Sequence, residues 1–402
     1  MEHLCCLRAS SACIVSDVLN SIVLLQLIVV SLLTHLALAG SRITTSLYAL
    51  SLNSSEFTVG MLIALFALFP MLFAVPTGRV VDRIGIVKPL IGGCVSMMIG
   101  CALPGLIGGL PILYLATLFM GTGFMTVQVV AQHTVGAMST AENRTANFSW
   151  LAMGYSISGF SGPIIAGFVI DHASHRIAYV LFSGFALMAV VVASCGSLKD
   201  VAVGRQEKSG GGGSLELLRD VEMRRIYIIG ILLATAWDMF MFVLPIHGSR
   251  LGFTASTIGI IAGCFAAATF AIRLAMPRIS RRYSEWQVLA SGLTLAAACY
   301  IVFPLMHQPY SLMIVAAVLG LAVGSSQPNL LALLHHTAPP GRAGEAVGIR
   351  ITIGNAAQVL LPLAFGGAGA TLGLTAVFWG MGAMISAGAP LAWRKALSKL
   401  GK

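Results

Sequence analysis

Asp238 sits beside Trp237 inside a long apolar run. An acid at the centre of a membrane helix costs about 2.5–3.5 kcal/mol on insertion scales, so it must face water or a partner. A carboxylate placed there can carry a proton or hold a substrate; the plainer reading is a structural hydrogen-bond acceptor. Ser31, His35 and Arg42 fall four and then seven residues apart in the first apolar run, on one helix face. That stripe should line a cavity, the alternative for Arg42 being a side chain that reaches the outer surface. Gln128 and Gln132 lie one turn apart with His133 adjacent, and Gln327, Asn329, Asn355 and Gln358 add neutral donors and acceptors further on. Each amide serves either a ligand or the contact between two helices. Arg273, one turn from the end of its run and followed by Pro277-Arg278, suits an anion contact and a snorkelling side chain equally well. His133, His335 and His336 fall where a cytoplasmic mouth or interface is expected. No histidine has metal-site spacing, and no Walker-type phosphate loop occurs, so neither a metal, nor ATP-driven transport, nor an enzyme is expected.

These residues must be positioned by membrane helices. Of 402 residues, 57% are hydrophobic and 9% charged, with a mean hydropathy of +0.90, where a soluble protein carries roughly 25% charged residues. The net charge of +10 is scattered through short loops rather than gathered in a patch, which argues against nucleic-acid binding. The eight cysteines form no C-x-x-C and read as small hydrophobes. Twelve apolar segments of spanning length can be drawn at about 20–45, 58–78, 89–109, 112–137, 146–170, 177–196, 225–247, 255–276, 286–306, 310–334, 346–369 and 372–393. Ala37-Leu38-Ala39 looks like a signal-peptidase site, but removing that segment would leave an odd helix and break the symmetry below, so it is kept as the first helix. Most of the 24 lysines and arginines fall in alternate loops, which puts both termini in the cytoplasm.

The longest polar stretch, 197–224, contains Gly210-Gly211-Gly212-Gly213-Ser214 and reads as a cytoplasmic linker between a six-helix bundle at 1–196 and another at 225–402. A shift of 199 residues aligns landmarks of the two halves without gaps: Gly60 with Gly259, Arg79 with Arg278, Arg83 with Arg282, Gly121 with Gly320, Gln128 with Gln327, Pro163 with Pro362 and Gly167 with Gly366. Parallel six-helix repeats are a transporter architecture, with the site between them near the midplane.

Gly78 to Lys88 reads G-R-V-V-D-R-I-G-I-V-K. As a loop, it would use Gly78 for close approach of two helix ends, Asp82 as an anion against a helix N-terminus, and Arg79, Arg83 and Lys88 as cytoplasmic anchors. This stretch resembles the loop between helices 2 and 3 of the major facilitator superfamily, with Ile86 and Val87 where arginines are common. The second copy, at Pro277 to Tyr283, lacks the acid. Gly154, Gly159, Gly162, Pro163 and Gly167 resemble the helix-5 motif of that family's drug and proton exchangers, with Ser158 and Ala166 replacing two glycines; packing of small residues alone is the plainer explanation. Thr117 stands four residues before Gly121, where exchangers of the family place an arginine, so the proton role of that arginine does not carry over. Ala141-Glu142-Asn143-Arg144 resembles the acidic-then-arginine turn after helix 4, which makes Glu142 a candidate partner for Arg83.

Together these features are those of an all-α membrane protein of twelve transmembrane helices in two pseudo-symmetric bundles, similar to drug/proton antiporter-like permeases of the superfamily. The resemblance implies proton-coupled export of a small organic compound from a monomer in a bacterial-type inner membrane, with the proton gradient as energy source and no cofactor. The alternatives are proton-coupled uptake of a small organic anion, anchored by Arg42 and Arg273, and a non-transporting sensor or scaffold.

Overall fold

The computed structural model describes residues 2–139, 144–195, 214–339 and 342–398. They form α1 (Glu2–Ser51), α2 (Glu56–Ile84), α3 (Val87–Leu106), α4 (Leu110–Met138), α5 (Arg144–His172), α6 (His175–Ser194), α7 (Ser214–Arg219), α8 (Val221–Arg250), α9 (Ala255–Ile279), α10 (Glu285–Val302), α11 (Pro309–Gly324), α12 (Ser326–Thr337), α13 (Ala343–Leu372) and α14 (Leu374–Ser398). No strand occurs among the described residues. Twelve spans are long and apolar enough to cross a membrane; α7 is too short, and α11 and α12 make one span between them. With no water in a bilayer core, helices satisfy every backbone group internally.

Local chemistry sets the helix ends. Ser55, Ser174, Asp220, Thr254 and Ser284 each accept a hydrogen bond from a backbone N–H three residues on, and Ser284 forms a capping box with Gln287. Gly85 turns between α2 and α3 at φ 80°, a conformation side chains disfavour. The boundaries differ from expectation in three places. Residues 78–84 continue α2, so only Gly85 and Ile86 remain between two helices of the expected loop. The linker's last residues are helical as α7, and the seventh span begins at Val221 because Asp220 caps it. The tenth span is interrupted at Ser325.

The 199-residue repeat is built into the packing. A side chain on Gly121 would strike the carbonyl of Phe66, and one on Gly320 that of Phe265, 199 residues later. Between the halves, Gly60 faces the carbonyl of Pro362 and Gly259 faces that of Pro163; Gly167 faces Ala255, and Gly366 faces Glu56. α2 thus pairs with α13 and α5 with α9. Apolar side chains gain little from leaving lipid for protein, so close backbone approach at small residues supplies the attraction between these helices. All these approaches lie toward the end of the bundle away from the chain termini, called here the distal end; α13 is the least buried of the twelve spans.

Candidate functional site

Arg42 on α1 and Asp238 on α8 meet across the two halves, Arg42 Nη1 lying 3.9 Å from Asp238 Oδ1. The arginine therefore turns inward rather than to the outer surface. Asp238 is 9% exposed and lines a narrow cleft with Thr235, Gly354, Gln358 and Pro362. The Gln358 amide faces the carboxylate from α13, so three helices from both halves converge on one acid. Asn355 is half-buried on the same helix.

Two turns before Arg42 on α1, His35 Nδ1 lies 2.6 Å from Ser158 Oγ of α5. Its ring is 5.2 Å from those of both Phe124 and Tyr155, whose hydroxyl faces Ser31. Ser31, His35 and Arg42 do share a face; α5 supplies the partners of Ser31 and His35, and α8 that of Arg42. Phe124, Gln128 and Gln132 follow at four-residue spacing on α4, so both glutamines continue the stripe that Phe124 directs toward His35. Gln128 and His133 are half-buried and Gln132 is exposed. Asn329, in contrast, is buried and donates to the Ser325 carbonyl at 2.7 Å, a structural use beside the interrupted helix. His336 is exposed, and the side chain of His335 lies outside the described residues.

Arg273 on α9 donates from Nη2 to Gln327 Oε1 at 3.0 Å, and its guanidinium carbon lies 6.0 Å from the centre of the Trp237 ring. It is thereby tied to the helix that carries Asp238.

The helix-5 glycines divide by partner. Gly154, Gly159 and Gly162 face α1, against Ile28, His35 and Ala39 respectively, whereas Pro163 and Gly167 face α9. The motif is a seam that joins α5 to its own half on one side and to the other half on the other. Thr117 is buried and donates to the Tyr114 carbonyl at 2.9 Å. Gly78 has open space where a side chain would point, contrary to the close approach expected. Arg83 is exposed. The side chains of Asp82 and Arg144, and all of Glu142, lie outside the described residues.

The sequence reading missed the groups that close the distal end. Glu56 at the start of α2 pairs with Arg250 at the end of α8, its carboxylate lying against Gly369 of α13. Asp171 at the end of α5 accepts from Ala255 N at 2.9 Å and Ser256 N at 2.7 Å, capping α9 across the halves. Arg176 is held by the carbonyls of Gly105 and Leu106. Arg176 and Arg250, at helix ends on the distal side, thus have structural partners. An acid beside each of two outer turns in a chain with only 14 acids was the available signal.

The sequence matches the family model of the Major Facilitator Superfamily over residues 27–362 and 226–399. It is similar to the class D tetracycline resistance protein of Salmonella ordonez, 24% identical over 76% of this chain and 78% of that protein. The class B protein of Escherichia coli is 23% identical over 76% and 77%. Among solved structures, a POT family transporter in complex with a thioalcohol-conjugated peptide superposes with a TM-score of 0.77 at 14% identity, over 94% of this chain and 96% of that one. A bacterial homologue of the human lysosomal transporter Spinster, in an inward-facing and occupied conformation, gives 0.76 at 14% identity over 93% and 96%. Structural likeness at that identity speaks to fold alone; the family model covers most of the sequence as well, and this chain belongs to the Major Facilitator Superfamily as a multi-pass membrane transporter.

Proposed function

We propose that the protein exports a small organic compound in exchange for protons by alternating access. Both termini lie in the cytoplasm of a bacterial-type inner membrane, on the basic-loop distribution. The cleft then faces the cytoplasm in the state described, closed at the distal end by the α2–α13 and α5–α9 contacts. Support for export comes from the helix-5 motif and from the two tetracycline resistance relatives.

The observation that carries the reading is the Arg42–Asp238 pair. A carboxylate shared between halves is a natural coupling group, because protonating it removes its charge and frees Arg42, while substrate groups compete for the same partners. No bound cofactor is needed; the proton gradient supplies the energy. The uptake of an organic anion with protons is the second reading, favoured by Arg273, which has no carboxylate partner among the described residues. Proteoliposomes with an imposed pH gradient and a substrate panel decide between them. Movement opposite to the proton flow supports export, movement with it supports uptake, and no movement of any compound with the gradient intact rejects both.

A further inference from the structure

The C-terminal half carries a charged cluster that its twin lacks. The 199-residue shift maps Gln327 onto Gln128, but Arg273 onto Ala74 and Trp237 onto Leu38. The fold is therefore built in the N-terminal half without the arginine or the indole. The charge of Arg42 is matched by Asp238, whereas among the described residues Arg273 has only the neutral oxygen of Gln327 and the Trp237 ring as partners. A guanidinium carries five donors, and the hydrogen bond to Gln327 uses one. Gln327 is exposed, and Arg273 and Trp237 are half-buried. Trp237 is the sequence neighbour of the cleft-lining Asp238, so the cluster lies beside the cleft, and an unmatched arginine turned to lipid would be costly.

A one-residue irregularity in the helix adjoins the cluster, although Ser325 keeps helical dihedrals. α4 runs unbroken from Leu110 to Met138, but its counterpart is split into α11 and α12 at Ser325. The hydroxyls of Ser325 and Ser326 turn back to the carbonyls of Ala322 and Val323, and Gln327 is the next residue. Discontinuous membrane helices mark substrate sites in transporters, because freed backbone groups and adjacent side chains can reach the cargo.

The geometry points to a subsite for a carboxylate borne on an aromatic ring: the carboxylate takes two parallel hydrogen bonds from the open edge of the Arg273 guanidinium, and the ring packs beside Trp237. The inference rests on the cleft being the transport path and holds for either direction of transport.

Titration calorimetry on the purified full chain tests it with three matched probes: 2-naphthoate, 2-naphthamide and 2-naphthylmethylamine. The acid should bind about tenfold or more tightly than the amide and the amine, the margin of a charged hydrogen-bonded pair. Arg273→Gln should abolish that preference, and Arg273→Lys should retain part of it, because lysine keeps the charge without the fork. Gln327→Leu, a milder change, should weaken the acid and spare the amide, so the test survives a poorly folded arginine variant. Failure of the acid to bind, equal affinity for acid and amide, or a preference intact in Arg273→Gln overturns the subsite. Proteoliposome transport separates the two claims. A chain that moves neutral or cationic compounds and ignores the acid loses only the subsite, while one that binds the acid and moves nothing loses only the transport reading.

Discussion

Gly60 lays its bare α-carbon against the carbonyl of Pro362, and Gly259 lies in the same way against Pro163 on the other side of the molecule. Neither site has room for a Cβ, and overpacking of this kind costs about 1–3 kcal/mol. The strain exists only while the distal end is closed. Gly60→Val and Gly259→Val should therefore both shift the protein toward the state open at that end, by similar factors of about tenfold. Labelling of Ser54→Cys, at a position whose native hydroxyl is buried in the closed end, by an impermeant maleimide, in a background freed of reactive native cysteines, should accelerate in both. Unchanged labelling in either would mean that the closed end tolerates a side chain there.

The Glu56–Arg250 pair adds a second, weaker closure. Arg250 is half in solvent, with its side chain 52% exposed, so the pair is worth about 1 kcal/mol or less. Glu56→Gln should open the distal end by a few-fold, and Arg250→Gln by more, because it leaves the buried Glu56 carboxylate unpaired. The double variant should be no worse than either single one if the two act only through each other. Additive effects in the same labelling assay would show that they act separately.

Along α5, glycines of one motif should differ sharply. A Cβ on Gly162 would come 2.9 Å from both Ala39 Cβ and Gly40 N of α1, whereas one on Gly154 would meet Ile28 Cγ2 at an ordinary 3.5 Å. Gly162→Ala should lower the thermal unfolding midpoint and transport, while Gly154→Ala should leave both near wild type, helped by the better helix propensity of alanine. Equal damage at the two sites would point to a need for backbone flexibility along the motif and away from packing.

The twelve spans and the repeat were legible in the sequence because length, hydropathy and a gapless 199-residue shift do not depend on tertiary contacts. The convergence of Gln358 on Asp238 from α13 was not legible, since a helix pattern in a membrane protein cannot tell a lipid face from a face toward another bundle. Gly78 was expected at a close approach and has none, because the sequence is the same in every state while the structure shows one of them. Glu56 was not legible as a closing group, because an acid in the first turn after the Ser55 cap is what an ordinary helix start carries, a role it also fills.

Arg83 lies exposed and has no ion pair across the halves among the described residues. Asp82→Asn and Arg83→Ala should leave membrane insertion and equilibrium substrate binding largely intact and slow turnover, by weakening the opposite, cytoplasm-closed state. Normal turnover in both variants would remove the motif from the cycle.

Asp238→Asn keeps the size and hydrogen-bonding capacity of the side chain but fixes it in the uncharged form. Arg42, 3.9 Å away in the native protein, then loses its counter-charge in both access states. If Asp238 couples proton to substrate, the variant should lose gradient-driven transport altogether while still exchanging substrate down its own gradient at a rate insensitive to pH. Arg42→Gln should do more damage than Asp238→Asn at neutral pH, because it leaves a buried carboxylate unpaired, the costlier half of a broken pair. Joining the two changes should restore the folded yield lost in Arg42→Gln and leave uphill transport absent. Uphill transport by Asp238→Asn at the wild-type proton stoichiometry would make Asp238 a structural acceptor for Arg42 and Gln358, and would move the proton to His35, whose Ser158 and Tyr155 neighbours are the other polar group built around the α1 stripe.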